Sequence, residues 1–360
     1  MCIRDSLWVR GGDDRQAPAT APTPQLGVDY EFDPASGRYR LVRVTRGDPT
    51  RTEARAPLAW PGLDVRAGTI LVAIDGHDLR APDSPDAMLF GKRGPVTLTL
   101  ADAPNGPRRD VTVMPVANED EARKRDWIAR NRALVDQLSD GRIGYLYMED
   151  MQDAGMQDFV RQFYPQLDKQ ALLVDDRWNH GGNTDQIVLE RLRRVLSSMQ
   201  TLRDRVPQTQ PDQILPGPKA MLINRYSGSD GEMVAYHFRS YGLGKLVGTR
   251  GWGGVRGLRT EWELLDGGTV WVPEITFYDL NSHWIVENHG VDPDVLVEER
   301  PDESRSGHDT QLEAGVRTLL AELRNGRSVM PPSSPAALPA YPPSGDVPPV
   351  YMSGAGVAAP

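Results

Sequence analysis

Two different hydrophobic patterns divide the chain. Residues 26–116 contain short stretches of β-branched alternation separated by turn signals, which predicts a small β-rich module. From residue 119 onward, short apolar runs alternate with segments of helical spacing, which predicts a mostly parallel sheet with helices on its faces. In the first region strands are predicted at residues 27–32, 39–45, 69–74, 96–100 and 111–116, and a short helix at 82–90.

The second region is predicted to be an α/β domain. Its strands are predicted at residues 143–148, 171–174, 220–223 and 245–248. Its helices are predicted at residues 119–138, 152–164, 186–199, 232–241 and 309–323, and a hairpin at 258–265 and 269–272. The first helix should pack through Trp127, Ile128, Leu134, Val135 and Leu138.

Both ends of the chain are polar and rich in alanine and proline, so we expect residues 1–24 to be disordered or a linker and residues 327–360 to be a disordered tail. This leaves a domain at residues 25–117 and another at residues 118–326. The first residues lack the apolar stretch of a signal peptide, and we expect the open frame to begin inside a longer gene. We expect a cytoplasmic protein, or a periplasmic one if the true N-terminus carries a signal.

Composition narrows the classes of function. The chain has 360 residues, 39% of them hydrophobic and 25% charged, with a net charge of −9. The negative charge and the lack of a basic block argue against a nucleic-acid partner. Cys2, the one cysteine, excludes an internal disulfide framework and a cysteine-based metal site. No apolar run reaches the roughly 18 residues needed to cross a bilayer. We therefore expect no membrane segment, no metal and no cofactor.

One turn has the geometry that a nucleophile needs. The predicted strand at 220–223 is followed by the sequence Ser-Gly-Ser-Asp-Gly at 227–231 and then by a predicted helix, which places Ser229 at the helix entrance. The flanking glycines allow a sharp turn, and the helix N-terminus offers free N–H groups to an oxyanion. From this turn alone, helix capping by Ser229 or Asp230 is favoured over catalysis.

Two further turns should leave the same edge of the sheet, because ligands of open α/β sheets bind beyond the carboxyl ends of the strands. Residues 175–183 contain the adjacent glycines Gly181 and Gly182, whose N–H groups could form an oxyanion hole. Residues 286–294 contain Glu287, a candidate orienting carboxylate. Taken singly, a plain glycine turn and a solvated loop acid are the favoured interpretations.

Four motifs together give a specific resemblance. They are VDDRWNHGGN at 174–183, NRYSGSDGEMV at 224–234, YGLGKLVGTRGWGGV at 241–255 and VENHGVDPDV at 286–295. The first domain also fits the entry into the central strands of a PDZ domain, through Gly62, Leu63, Gly68, Leu71, Ile74, Asp75 and Gly76, with an unrelated small β-barrel as the alternative. Residues 26–325 resemble the PDZ and C-terminal protease domains of the tricorn family of serine peptidases, which belongs to the tail-specific protease group with its crotonase-like α/β domain.

The resemblance implies a role for each site residue. Ser229 would be the nucleophile, the N–H groups of Gly182 and Asp230 the oxyanion hole, and Glu287 the acid that completes a catalytic tetrad. In the family the histidine base comes from a domain upstream of the PDZ module, and no histidine precedes that module here. His180 and His289 are candidate substitute bases. The expected substrate is a peptide or unfolded polypeptide, and a homo-oligomer is expected.

Two positions depart from related patterns. Relatives that use a Ser–Lys dyad carry their lysine in the segment equivalent to 248–255, where this chain has Gly254 and no lysine; Lys245 precedes the strand end. An acid in the family's specificity pocket should fall near Gln200, but residues 195–202 contain none and Asp204 is the nearest. A preference for basic residues before the cut is therefore in doubt. Trp178 and Trp252 could line a pocket or simply pack in the core.

Three functions remain in competition. The favoured one is a serine endopeptidase of the tricorn type, with this chain as the C-terminal part of a longer enzyme. The alternatives are a catalytically silent PDZ module that binds peptides and a Ser–Lys processing peptidase. Retention of Ser229, Gly182 and Glu287 together favours the first, because a binding module has no chemical need for that trio.

Overall fold

A computed structural model describes residues 8–10, 23–201 and 206–326 of the chain. The strands are β1 (Trp8–Arg10), β2 (Val28–Asp33), β3 (Arg38–Val44), β4 (Ile70–Ile74), β5 (His77–Asp78), β6 (Val96–Ala101), β7 (Arg108–Val113), β8 (Ile143–Tyr147), β9 (Ala171–Asp175), β10 (Ser198–Gln200), β11 (Gln208–Gln210), β12 (Lys219–Ile223), β13 (Gly244–Gly248), β14 (Gly257–Glu263), β15 (Thr269–Ile275) and β16 (Val295–Leu296). The helices are α1 (Pro85–Leu89), α2 (Asp120–Leu138), α3 (Asp153–Phe163), α4 (Asp185–Leu192), α5 (Asp230–Ser240), α6 (Pro301–Arg305) and α7 (Thr310–Arg324).

The first region is a β-rich module, as its alternating pattern predicts. Strands β2, β3, β4, β6 and β7 form an antiparallel sheet in that order, and β5 pairs with β4. Strand β6 shows the expected period of two, because Val96, Leu98 and Leu100 are buried while the two threonines between them are partly exposed. The inward-facing side chains form one hydrophobic cluster together with Leu89 of α1.

The second region is built on a parallel sheet, which confirms the predicted α/β class. The strand order is β16-β13-β12-β9-β8, and every pair is parallel. Strands β8, β9 and β12 are buried along their whole length, as expected when helices cover both faces. Alternate residues of β9 pack on opposite faces: Leu172 and Val174 with α3, α4 and α5, and Leu173 with α2 and α7.

The register of this sheet brings its strand ends together. Asp175, the last residue of β9, pairs with Tyr147 of β8 and Leu222 of β12, and Ile223 pairs with Gly248 of β13. The loops that follow these strands therefore leave from one edge, which is where α/β proteins place their sites.

A buried guanidinium connects this edge to the last helix. Arg177 is fully buried and donates to both carboxylate oxygens of Asp175, from Nε at 2.8 Å and from a terminal nitrogen at 2.7 Å. It also donates to both oxygens of Asp309, at 2.8 and 2.7 Å. Asp309 in turn caps α7 by accepting the N–H of Leu312. The loop after β9 and the start of α7 are thus joined by one side chain.

Two details of the helices were predicted incorrectly. The helix predicted at 186–199 ends at Leu192, and Ser198–Gln200 instead form β10, which pairs with β11. Val195, within the predicted helix, lies after the end of α4 and is 77% exposed. Leu138, predicted to pack with the rest of α2, is 41% exposed, because it is the last residue of the helix and lies beyond the buried positions that end at Val135.

The ends of the chain are described only in part. Trp8–Arg10, within the predicted linker, form a strand that pairs antiparallel with β15. The other residues before 23, and residues 327–360, lie outside the described residues, so the expectations for them stay predictions. None of the helices within residues 8–10, 23–201 and 206–326 has the length and apolar character that crossing a membrane requires.

Candidate active site

Ser229 sits at a strained turn between β12 and α5. Its backbone has φ of 54° and ψ of −129°, a region that residues other than glycine rarely occupy. Its N–H donates to the carbonyl of Gly254 at 2.7 Å, and its side chain makes no capping hydrogen bond. The capping interpretation that the turn alone favours is therefore wrong for the Ser229 side chain. Its half-buried hydroxyl has no hydrogen-bond partner among the described residues.

The glycine turn after β9 lies directly against this serine. A Cβ atom placed on Gly181, where φ is 81°, would lie 2.5 Å from the Ser229 Cβ. A Cβ atom on Gly182, where φ is 154°, would overlap the carbonyl oxygen of Met151. Within the part of the chain that the structure describes, the N–H groups of Gly182 and Asp230 have no acceptor. These two donors belong to the residues that follow Gly181 and Ser229, the two residues whose Cβ positions would clash. Free N–H groups of this kind could bind an oxyanion.

Asn179 connects the two turns, and the sequence analysis missed it. This fully buried residue accepts the Gly228 N–H on its carbonyl at 3.0 Å and the Gly181 N–H on Oδ1 at 2.8 Å. Its Nδ2 donates to Asp176 at 2.8 Å. Burial raises the pKa of Asp176 well above its usual range. An asparagine two residues before adjacent glycines is the one signal that could have revealed this connection.

Glu287 is held close to the same turns. Its Oε2 accepts the N–H groups of Val255 and Arg256, at 2.9 and 3.1 Å. The following residue, Asn288, donates its N–H to the carbonyl of Gly253 at 2.7 Å. Segment 253–256 thus lies between Ser229, which donates to Gly254, and Glu287. Glu287 is only partly exposed and doubly bonded, so the solvated loop acid is the wrong interpretation. The structure brings the three predicted loops together, but the loop at 286–294 runs between β15 and β16 and does not follow a strand of the parallel sheet, as was expected of it.

Carboxylates crowd the first turn of α5. Asp230 accepts the N–H of Asp185 at 3.1 Å, and Asp185 contacts His237 Nδ1 at 3.3 Å. Burial, together with the charge of Asp185, raises the pKa of Asp230 to about 6. Despite this crowding, no three side chains of the types that bind metals are placed to hold an ion among the described residues.

The two candidate substitute bases do not contact Ser229. His180 is exposed, and its backbone N–H donates to the carbonyl of Glu149. His289 is 57% exposed, and its Nε2 lies 2.7 Å from Asp292. Neither ring forms a hydrogen bond with the Ser229 hydroxyl in this structure.

The lysines of β12 and β13 lie at the opposite edge of the sheet. Lys219 begins β12 and donates to the carbonyls of Leu215 and Gly217, while Ser229 follows the far end of that strand. Lys245, near the start of β13, lies 3.7 Å from Glu322. At Gly254 a side chain would meet Trp252, since its Cβ atom would lie 2.5 Å from that ring.

The two tryptophans occupy different surroundings. Trp252 is 44% exposed, and its ring lies against Gly228 and Gly254. Gly228 precedes Ser229, and Gly254 accepts the Ser229 N–H. Trp178 packs edge-on against Trp127 and beneath the Arg177 guanidinium, as part of the core. Of the two, only Trp252 lines the surface beside the serine. Gln200, where a specificity acid was sought, lies in β10, and Asp204 is outside the described residues.

Comparison with known proteins identifies two domains in this chain. Residues 25–118 match the family described as the tricorn protease PDZ domain, and residues 142–297 match peptidase family S41. The chain is 38% identical over 311 residues to tricorn protease homolog 1 of Streptomyces coelicolor, covering 86% of this chain and 29% of that protein. It is 33% identical over 304 residues to a protein of Sulfurisphaera tokodaii named putative tricorn-like protease C-terminal subunit, covering 84% of this chain and 35% of that one.

A solved structure supports the same assignment. The crystal structure of the tricorn protease superposes with a TM-score of 0.81 at 30% identity, over 88% of this chain and 31% of that one. The chain thus spans about a third of the length of these relatives. With a PDZ match, a peptidase match and this structural similarity in one order along the sequence, the chain belongs to the tricorn family of serine peptidases.

Proposed function

We propose that this chain carries the PDZ module and the nucleophile of a serine endopeptidase that cleaves peptides or unfolded polypeptide. The observation that supports this most is the strained Ser229, with its hydroxyl uncovered beside the free N–H groups of Gly182 and Asp230. Backbone strain at a turn persists only where the surrounding structure enforces it, and it is commonly found at reacting groups.

The chemical role of each group follows from its position. The Ser229 oxygen attacks the peptide carbonyl, a base takes its proton, and the carbonyl oxygen becomes an oxyanion that the N–H groups of Gly182 and Asp230 stabilise. Collapse breaks the C–N bond, and the proton passes to the leaving amine. Water then hydrolyses the acyl-enzyme and frees Ser229. Glu287 keeps Oε1 without a partner among the described residues, so it can orient the group that moves the proton.

The base is the one part of this mechanism that the described residues lack. A serine hydroxyl needs a partner to take its proton, and none contacts Ser229 here. We propose that a histidine outside this chain supplies it, from an upstream segment or another subunit of a homo-oligomer or larger assembly. The name of the Sulfurisphaera tokodaii relative, a C-terminal subunit, supports a division of this kind between polypeptides.

A Ser–Lys dyad has less support. The lysines of β12 and β13 lie at the far edge of the sheet, and Gly254 leaves no room for a side chain beneath Trp252. A silent PDZ module would have no chemical use for the strained serine and its free donors.

We also propose that the protein acts in the cytoplasm.

Labelling by a fluorophosphonate, which reacts only with activated serines, tests the assignment. We expect Ser229 to be modified in a preparation that includes the upstream polypeptide, and Ser229→Ala to abolish the label. Ser240→Ala, on an exposed serine at the other end of α5, is the matched control and should leave labelling unchanged. Equal labelling of Ser229→Ala and the wild type, or modification of another serine, would refute the nucleophile.

A further inference from the structure

Glu232 is a buried glutamate in the first turn of α5, three residues after Ser229. Its side chain is 1% exposed. Oε2 accepts the N–H groups of Gly253 and Gly254, at 2.6 and 3.1 Å, and Oε1 accepts the N–H of Val291 at 3.2 Å. One carboxyl group thus binds the helix that begins at the serine to two separate segments.

Those two segments hold the groups that the proposed reaction needs. The carbonyl of Gly254 accepts the N–H of Ser229, and the carbonyl of Gly253 accepts the N–H of Asn288, both at 2.7 Å. The next two residues donate to Glu287. Gly254 is therefore hydrogen-bonded to both Glu232 and Ser229. Gly253 is likewise hydrogen-bonded to both Glu232 and Asn288, the residue after Glu287.

The surrounding backbone leaves room for this carboxyl group. A Cβ atom on Gly251 would overlap Glu232 Oε1, and a Cβ atom on Gly290 would lie 3.1 Å from the same oxygen. Gly251 is thus required by the space that Glu232 occupies, whereas a Cβ atom on Gly290 would first overlap the carbonyl oxygen of Gly251. No lysine or arginine donates to either of its oxygens among the described residues; only backbone N–H groups do.

We infer that Glu232 is a positioning residue for Ser229, whose ionised carboxylate holds segment 251–256 and the loop at 286–291 in the reactive arrangement. The inference rests on the proposed role of Ser229 as the nucleophile. Hydrogen bonds to a charged acceptor are roughly twice as strong as bonds between neutral groups, so the arrangement is firmest when Glu232 is ionised.

The surroundings of Glu232 place its titration near neutrality. Burial raises the pKa of Glu232 to about 7, with a further contribution from the charge of Glu287, while the three N–H bonds act in the opposite direction. The titratable and charged groups on the elements around it are Arg250, Arg256, Glu287, His289, Asp292, Asp176 and, on its own helix, Asp230. The N–H bonds should therefore weaken as the pH falls through about 7.

The variant Glu232→Gln tests this, because it keeps the size of the side chain but is neutral at every pH. In a preparation that includes the upstream polypeptide, we expect fluorophosphonate labelling of Ser229 at pH 8 to be about tenfold slower in the variant than in the wild type. As the pH falls below about 6, the wild-type carboxyl group becomes neutral too, and the ratio of the two rates should approach one. A purely structural defect would instead lower the rate by the same factor at every pH.

Glu119→Gln is the matched control, since Glu119 is also buried and accepts a backbone N–H, that of Gly27, in the first domain. Its rate should equal that of the wild type throughout. If the wild type is not labelled at Ser229, the proposed function fails. If Ser229 is labelled and the ratio for Glu232→Gln is constant or equal to one, only the inference on Glu232 fails.

A second measurement needs no variant. The protection of the amides of Gly253, Gly254 and Val291 against hydrogen exchange, corrected for the intrinsic pH dependence, should fall in the wild type between pH 8 and pH 6. Unchanged protection of these three amides would overturn the inference even if Glu232→Gln did not fold.

Discussion

At the scale of single residues, the site depends on backbone conformations that side chains normally avoid. Ser229 has a positive φ, and Gly182 has one that only glycine accepts without strain. For a residue with a side chain, such as Ser229, this conformation costs about 1–3 kcal/mol and persists only if its neighbours hold it. The sequence could locate the turns at Ser229 and Gly182, because glycines mark sharp turns. It could not reveal Asn179 or Glu232, whose partners lie on other loops and leave no local pattern.

The carboxyl group of Asp230 gives a prediction at this scale. Its pKa is about 6 in the folded protein, against 3.8 for an ordinary solvated aspartate, so the wild type should lose stability as the pH rises from about 4 to about 6. Asp230→Asn removes this loss. Above pH 7 we expect the free energy of unfolding to increase by about 1 kcal/mol, less than the full shift implies because the group is partly solvated.

Urea unfolding of Asp230→Asn and the wild type at pH 4.5 and pH 7.5 measures this. The exposed Asp168 supplies the control variant Asp168→Asn, which should change stability equally little at both values. An Asp230→Asn variant whose difference from the wild type does not grow with pH would contradict the assignment.

At the scale of elements, the site is the place where three strands end. Short apolar runs bounded by turns located β8, β9, β12 and β13 to within two residues, because a buried parallel strand has few alternative interpretations. The end of α4 was not predicted, because residues 198–200 form β10 by pairing with β11, and this pairing leaves no periodic pattern in the sequence. Pairing between strands is decided by partners that a local window does not contain.

Gly182→Ala tests the contact between two of these loops. The added methyl group would overlap the Met151 carbonyl and force the turn away from its present position, which moves the Gly182 N–H. We expect labelling of Ser229 to fall by at least about tenfold, because one oxyanion donor is lost, while the fold is kept. Gly94→Ala is the control, since a Cβ atom there meets nothing within 4 Å and φ is not positive. Labelling of Gly182→Ala at the wild-type rate would show that the Gly182 N–H takes no part.

At the scale of the whole molecule, the chain joins a β-rich module to an α/β domain and covers about a third of its relatives. Both classes could be predicted from hydrophobic periodicity alone, and the order of four motifs added the family. The base and the assembly stay predictions, because no described residue is hydrogen-bonded to the Ser229 hydroxyl.

This scale gives a prediction about activity. The 360 residues alone should hydrolyse peptides poorly, because Ser229 has no proton acceptor among the described residues. Addition of a polypeptide that carries the missing histidine should raise kcat by roughly 100-fold or more. A peptidase assay of the chain with and without its upstream partner measures this. Rapid turnover by the chain alone would point to His180 or His289, and substitution of each would then identify the base.

The guanidinium shared by Asp175 and Asp309 has a consequence for a chain shortened from its carboxyl end. Loss of the chain from Asp309 onward would leave Arg177 with one carboxylate partner instead of two, and it would also remove α7, whose Leu312, Val316 and Leu319 pack against the sheet. Arg177 stands two residues before Asn179, so the turn at residues 179–182 would lose part of its support. A chain shortened before Asp309 should therefore lose order in this turn together with the packing of the sheet against α7.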